Sequence, residues 1–274
     1  NIINICNFKG YTVIRGLYTA ATGMNSMQHQ IDVTSNNIAN VNTTGFKQDR
    51  AEFQDLMYES LNYTAGQTTQ TTINPTGIDV GLGVRVSGVQ KNFSEGDLKL
   101  TSNTLDLAIK GKGFFQITLP SGETTYSRNG AFKLNEEGAI VNGSGYALTP
   151  EIVVPDNVTK LTIGTDGIVT ATDPQTGDIV NLGQITIADF INPAGLTPLG
   201  DSLFMKSAAS GDVLEGNPTE EQFGAIQQGM IELSNVKLVN EMVDLITAQR
   251  AYEANSKAIT TTDSMLDTVN RLKS

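Results

Sequence analysis

The stretch from Ile14 to Gly45, IRGLYTAATGMNSMQHQIDVTSNNIANVNTTG, decides how the ends of this chain are read. Leu17, Met24, Ile31 and Ile38 recur every seven residues, and Ala20, Met27, Thr34 and Val41 follow each of them by three. That spacing places both rows on one face of an α-helix. Gly16 and Gly23 lower its intrinsic helicity and Asn36, Asn37 and Asn40 are weak helix formers, so the helix needs a partner. Asn40-Val41-Asn42-Thr43-Thr44-Gly45 supplies the stop, because Asn and Gly tolerate the left-handed conformation at a helix C-terminus.

The other end reads the same way. Ser234-Asn235 offers two good N-caps, and neither proline nor glycine interrupts the run to Leu272. A helix of that extent is roughly 57 Å long. Leu238, Leu245, Tyr252, Ile259 and Leu266 repeat every seven residues, while the companion row Met242, Gln249, Ser256 and Asp263 is mixed. Ala248, Ala251, Ala254, Asn255 and Ala258 are small or polar and would let helices approach closely. Both segments carry sevenfold spacing without a core-forming neighbour in sequence. They are expected to pack on each other and on other copies, with Leu17, Met24, Ile31, Ile38, Leu238, Leu245, Tyr252, Ile259 and Leu266 as the assembly interface.

Between the ends the signal changes. Phe46, Phe53, Leu56, Met57 and Leu61 fit either a short second helix or an extended return. Residues 62–75 are rich in Thr, Gln and Asn and read as a loop or arm. From Gly77 to Glu232 short apolar runs alternate with Ser121-Gly122, Asn129-Gly130, Asn142-Gly143 and Asp166-Gly167, the signature of antiparallel strands joined by tight turns. The expected fold class is α+β: long N- and C-terminal helices packed as a coiled-coil-like bundle, with a central antiparallel β-rich domain. The segments run 1–13 (an extension or a misread start), 14–45 (N-terminal helix), 46–76 (connecting arm), 77–232 (β-rich outer domain) and 233–274 (C-terminal helix).

Composition removes several function classes. A net charge of −11 repels a phosphate backbone, and no basic patch offsets it. The single cysteine, Cys6, forms neither an internal disulfide nor a cysteine metal cluster. No apolar run approaches the ~18 residues of a membrane span, and the N-terminus lacks the pattern of a secretory signal. The only histidine, His29, falls on the outer face of the first helix. Gly111-Lys112-Gly113 lacks the spacing and the Ser/Thr of a phosphate loop and reads as a β-turn. Glu136-Glu137 and Glu220-Glu221 are neighbours in turns, where solvation is the usual outcome. The reading contains no catalytic, cofactor-binding or metal-ligating residue: the chain is expected to be no enzyme and to take no cofactor.

Three stretches resemble a known family. Ile14-Arg15-Gly16-Leu17-Tyr18-Thr19-Ala20-Ala21-Thr22-Gly23-Met24 and Asp32-Val33-Thr34-Ser35-Asn36-Asn37-Ile38-Ala39-Asn40-Val41-Asn42-Thr43-Thr44-Gly45-Phe46-Lys47 are similar to the N-terminal signature of bacterial flagellar rod and hook proteins. Asn36, Asn37, Asn40, Asn42, Gly45 and Phe46 are its most distinctive positions. Asp106 to Gln116 and Tyr126 to Phe132 resemble the β-domain of these subunits, and Leu245 to Ile259 their closing helix. Within the family, Ile78 to Arg85 and Tyr252-Glu253 point to the distal-rod branch, ahead of the hook protein and the proximal rod subunits.

The resemblance implies a helical homopolymer that forms the distal rod of the basal body across the periplasm, transmits torque from motor to hook and forms part of the export channel. It implies export through the flagellar type III apparatus. Its partners would be the proximal rod proteins, the hook protein and the P-ring and L-ring proteins. In the family the start methionine immediately precedes the position of Ile14, so Val13 stands in its place.

Overall fold

The computed structural model describes residues 2–62, 67–69, 72–73, 78–155, 160–172, 178–220 and 222–273. The chain divides into two units, one made of Asn1–Ile38, Asp49–Gln90 and Leu238–Ser274, the other of Ala39–Gln48 and Lys91–Lys237.

The first unit holds both long helices, α1 (Ile2–Ala39) and α2 (Leu238–Lys273). Two contacts fix their relation. Asn37 Nδ2 donates to Glu241 Oε2 at 3.1 Å, and a Cβ on Gly23 would lie 2.8 Å from Asn255 Nδ2, so the two helices come close there. Moving from Asn37 back to Gly23 on α1 means moving forward from Glu241 to Asn255 on α2, so the pair is antiparallel.

The expected coiled-coil-like bundle is corrected here. The described residues form two α-helices and a large set of strands. The row that α2 buries deepest is Glu241 and Ala248, continued by the half-buried Asn255 and Thr262. A knobs-into-holes seam needs large apolar residues at both inner rows. Here one row is small or polar and is joined to α1 by a hydrogen bond, so the arrangement is a helix pair registered by polar contacts. The molecule is α+β, with a large β-rich part.

Strand Asp49–Asp55 pairs with Val84–Lys91, and Tyr58–Asn62 runs antiparallel to Ile78–Gly81. The segment after α1, open in sequence between a helix and an extended return, is therefore extended. Arg15 on α1 reaches Glu59 at 2.7 Å, which ties the helix to the second ribbon. The arm expected over 62–75 lies mostly outside the described residues; Gln67–Thr69 and Thr72–Ile73 are paired strands.

In the second unit every paired strand is antiparallel. Phe114–Thr118 sits at the middle of a nine-stranded sheet. Thr124–Ser127 lies on one edge of it, and Ala147–Thr149 and Ile187–Phe190 share the other. Alternation along Phe114–Thr118 sends Phe115 into one core with Leu107, Phe132, Ile185 and Ile226. Phe114 points into a second core with Tyr126, Phe190 and Phe204, where the rings meet edge to face. Leu107–Lys110 pairs with Ala225–Gln228, and Leu98–Leu100 with Met230–Glu232. These pairings bring the chain back to the start of α2.

The turn chemistry differs from the sequence reading at two positions. Gly122 and Gly167 adopt positive φ, but Gly130 and Gly143 do not. Asn142 Oδ1 instead accepts from the Ser144 and Tyr146 amides, and the left-handed residue is Gly145. An Asn side chain that mimics backbone closes this turn without a two-residue Asn-Gly hairpin.

Candidate functional site

Two asparagines of the N-terminal signature, Asn36 and Asn37, are structural connectors. Asn37 is buried, and its side chain acts as a detached piece of β-ladder: Oδ1 accepts from the Asp49 amide at 2.8 Å and Nδ2 donates to the Asp49 carbonyl at 2.8 Å. The same Nδ2 reaches the buried carboxylate of Glu241, so one amide joins α1, the first strand and α2. Asn36 is exposed and donates to the Asp49 carboxylate. Asn40 is half-buried, accepts from the Thr43 hydroxyl and shapes the turn after α1, and Asn42 is exposed. Replacing Asn37 with Ala would leave the Asp49 backbone groups and Glu241 short of partners. We expect a loss of about 1–3 kcal/mol in denaturant unfolding of the whole chain. A change within a few tenths would show that water replaces the amide.

Glu232 forms a second connector. Its carboxylate and the Lys47 amine are both fully buried, with Nζ 2.6 Å from Oε1. Lys47 also donates to the Ser94 carbonyl at 2.7 Å, and the Gly96 amide donates to Glu232 Oε1 at 2.9 Å. Arg128 lies 3.6 Å from Glu232 Oε2 and donates to the Ile109 and Gly111 carbonyls. Asn235 completes the set. Its Oδ1 accepts from the Gln48 amide, and its Nδ2 donates to the carbonyls of Asn92 and Ser94.

Three passes of the chain, near residues 45–48, 92–96 and 232–235, are thus held together by side chains. Gly45, buried with φ +69°, makes room for the first pass, since a Cβ there would fall 2.6 Å from the Asn129 amide. Burial pushes the Lys47 amine and the Arg128 guanidinium below their ordinary pKa ranges, and Glu232 opposes the shift in both.

The expected interface residues fall into two groups. Leu17, Met24, Ile31 and Ile38 on α1, and Leu245, Ile259 and Leu266 on α2, are half-buried within the chain itself. Leu238 and Tyr252 are exposed. Sequence reasoning missed a distinct apolar face on α2. Val239, Met242, Val243 and Ile246 are 73%, 50%, 56% and 55% exposed and follow the i, i+3, i+4, i+7 spacing of one helix face. Met265 and Val269 add exposed apolar surface near the end of α2. Monomeric proteins rarely leave such a contiguous patch in water. Lys47, Glu232, Asn235 and Glu241 were also missed as connecting residues. Each pairs with residues far away in sequence, so local spacing carries no signal for them.

Among the described residues no group of three His, Cys, Asp or Glu side chains could hold a metal ion. What the geometry offers is a set of rigid connectors and an uncovered helix face, the equipment of a part that assembles. Comparison with known proteins agrees. The family model for flagella basal body rod protein matches residues 17–47, the flagellar hook protein FlgE/F/G D1 domain matches 108–171, and the flagellar basal body rod FlgEFG protein C-terminal model matches 227–272.

The flagellar basal-body rod protein FlgG of Caulobacter vibrioides is 46% identical over 267 residues, covering 95% of this chain and 100% of that one. FlgG of Borreliella burgdorferi is 43% identical over 263 residues, covering 95% and 99%. The flagellar hook-basal body complex protein FlhP of Bacillus subtilis is 30% identical over 275 residues, covering 95% and 100%. With near-complete coverage at these identities, the chain belongs to the flagellar basal-body rod protein family.

Proposed function

We propose that this chain is the repeating structural subunit of the distal rod, a homopolymer within the bacterial flagellar basal body, and that it catalyses no reaction. The observation that carries the reading is the uncovered apolar face Val239, Met242, Val243 and Ile246, on a chain similar over nearly its whole length to basal-body rod proteins. Covering the remaining exposed half to three-quarters of these four side chains contributes about 1–2 kcal/mol each, and in a polymer every subunit repeats the gain. The half-buried residues Leu17, Met24, Ile31, Ile38, Leu245, Ile259 and Leu266 contribute the helix surfaces within the subunit, Leu238 borders the apolar face, and Tyr252 is exposed on another side of α2.

In this role the subunit transmits torque towards the hook and contributes to the wall of the export channel. The connectors at Asn37 and Lys47 suit a load-bearing part, because each replaces flexible linkage by several fixed hydrogen bonds. Its partners are further copies of itself, the proximal rod proteins, the hook protein, the P-ring and L-ring proteins and the flagellar type III export apparatus that delivers it to the periplasmic rod.

The test is a deletion strain examined by electron microscopy of isolated basal bodies. We expect a truncated rod without a hook, restored by the intact gene. A complete rod lacking only the hook would assign the chain to the hook instead, and an unaltered basal body would overturn the structural role.

A further inference from the structure

We propose that α2 has a second register against α1, displaced by one heptad, in which Asn255 seats on Gly16 instead of Gly23 and the first six residues of α2 unwind. The apolar face Val239, Met242, Val243 and Ile246 is then displayed in the observed register and taken apart in the other. For the role of that face the inference rests on the homopolymer reading; the second register stands on the helix pair itself.

The two contacts that relate the helices, Asn37 with Glu241 and Gly23 with Asn255, lie two heptads apart on each of them. One heptad beyond the second, Gly16 stands level with Thr262. Gly16 and Gly23 therefore hold equivalent places on α1, yet only Gly23 is used. A Cβ on Gly16 would have nothing within 4 Å, whereas one on Gly23 would press on Asn255. Glycine inside a helix costs stability relative to alanine, so the observed register gives Gly16 no packing reason.

Moving α2 by one heptad towards the start of α1 supplies that reason. Asn255 comes level with Gly16 and Ala248 with Gly23, so each glycine again faces a short side chain at close approach. Leu245, Tyr252 and Ile259 move into the places of Tyr252, Ile259 and Leu266, apolar into apolar. The row that faces α1 is small or polar, so no interlocked knobs oppose the slide. Elements that pass one another by whole turns are an established kind of two-state device.

The displacement is about 10.5 Å, one heptad at 1.5 Å per residue. Asn235 holds the chain just before α2 through the Gln48 amide and the Asn92 and Ser94 carbonyls, so the length comes from α2 itself. Extended backbone covers about 3.3 Å per residue, and unwinding Leu238 to Val243 yields about 11 Å. That run contains Val239, Met242 and Val243, three of the four residues of the apolar face. Asn37 keeps both bonds to Asp49 and loses only Glu241, whose carboxylate returns to water. The bond between Asn37 and Glu241 is the latch that holds the observed register.

The experiment is double electron–electron resonance on the full-length chain below its critical concentration, with Cys6→Ser and nitroxides on Ser35→Cys and Lys257→Cys, both exposed positions. Along the helix axis the labels lie about 21 Å apart in the observed register and about 32 Å apart in the other. The parent should show the short separation with about 1–10% of the long one. Glu241→Ala removes the latch and should raise the long fraction to at least about half. Gly16→Leu should abolish the long separation and leave the short one unchanged, since a side chain there meets nothing in the observed register. Gly16→Leu/Glu241→Ala should return to the short separation alone. A single short separation in Glu241→Ala would overturn the second register, and so would a long fraction that survives Gly16→Leu. Sedimentation of the same chains tests the role of the face separately. Glu241→Ala should raise the critical concentration at least about twofold, in proportion to the competent fraction lost, and Gly16→Leu/Glu241→Ala should restore it. Two separations with unchanged polymerisation would keep the second register and overturn its control of assembly.

Discussion

Lys47→Ala is expected to destabilise the β-rich unit by about 3–5 kcal/mol, enough to unfold a domain of ordinary stability. The magnitude comes from what remains behind. Glu232 would stay fully buried with one oxygen on the Gly96 amide and the other 3.6 Å from Arg128, having lost its 2.6 Å partner. The Ser94 carbonyl would lose its donor as well. Lys47→Met/Glu232→Gln should recover only part of the loss, because a neutral amide still accepts from the Gly96 amide but the buried Arg128 then lacks its carboxylate neighbour. Denaturant unfolding followed by far-ultraviolet circular dichroism measures both. If the double variant were as unstable as Lys47→Ala, packing volume at this point would matter more than charge pairing.

Val243→Asp should leave a folded, soluble chain that does not assemble. Val243 lies on the uncovered face of α2, so the monomer loses almost nothing, whereas each subunit contact in the polymer acquires a carboxylate removed from water. Assembly is expected to fall at least about a hundredfold in critical concentration, from lost apolar burial together with charge desolvation. Cells carrying it should be non-motile, with rods truncated at the point where this subunit begins. Leu245→Asp separates the two sides of the helix. Leu245 is half-buried within the chain, so that change should lower the stability of the monomer itself. Thermal unfolding of the two purified variants beside a sedimentation assay distinguishes them. A Val243→Asp chain that polymerises normally would remove α2's outer face from the assembly interface.

The sequence made the sevenfold repeat of α2 legible, but not which neighbouring row accompanies it. Leu238, Leu245, Tyr252, Ile259 and Leu266 can be joined with residues three positions further on or four. The row four further on begins at the apolar Met242 but continues with Gln249, Ser256 and Asp263, so the spacing reads as mixed and names no inner row. The structure instead turns inward the row three further on, Glu241, Ala248, Asn255 and Thr262, which leaves Met242 outside. Hydrophobicity ranks these rows wrongly because Glu241 is buried through its bond to Asn37, a partner that lies 204 residues away. The β-rich middle was readable from its alternating runs and turns, since both are local. Lys47 looked like the polar end of a motif, and nothing near it in sequence announces that Glu232 makes its burial tolerable.

The two connectors also make their closures mutually dependent in the folding polypeptide. Asn37 and Glu241 close a loop of 204 residues, and Lys47 and Glu232 one of 185. Once Lys47 has met Glu232, only ten residues separate Asn37 from Lys47, and nine separate Glu232 from Glu241. Shortening the effective loop from about 200 residues to about 20 removes roughly 2 kcal/mol from the entropic barrier to bringing the helices together. The gain is mutual, since closing either connector shortens the loop left for the other by the same amount. A nascent chain can complete neither unit until residue 232 has left the ribosome, so for most of its synthesis α1 waits without its mate.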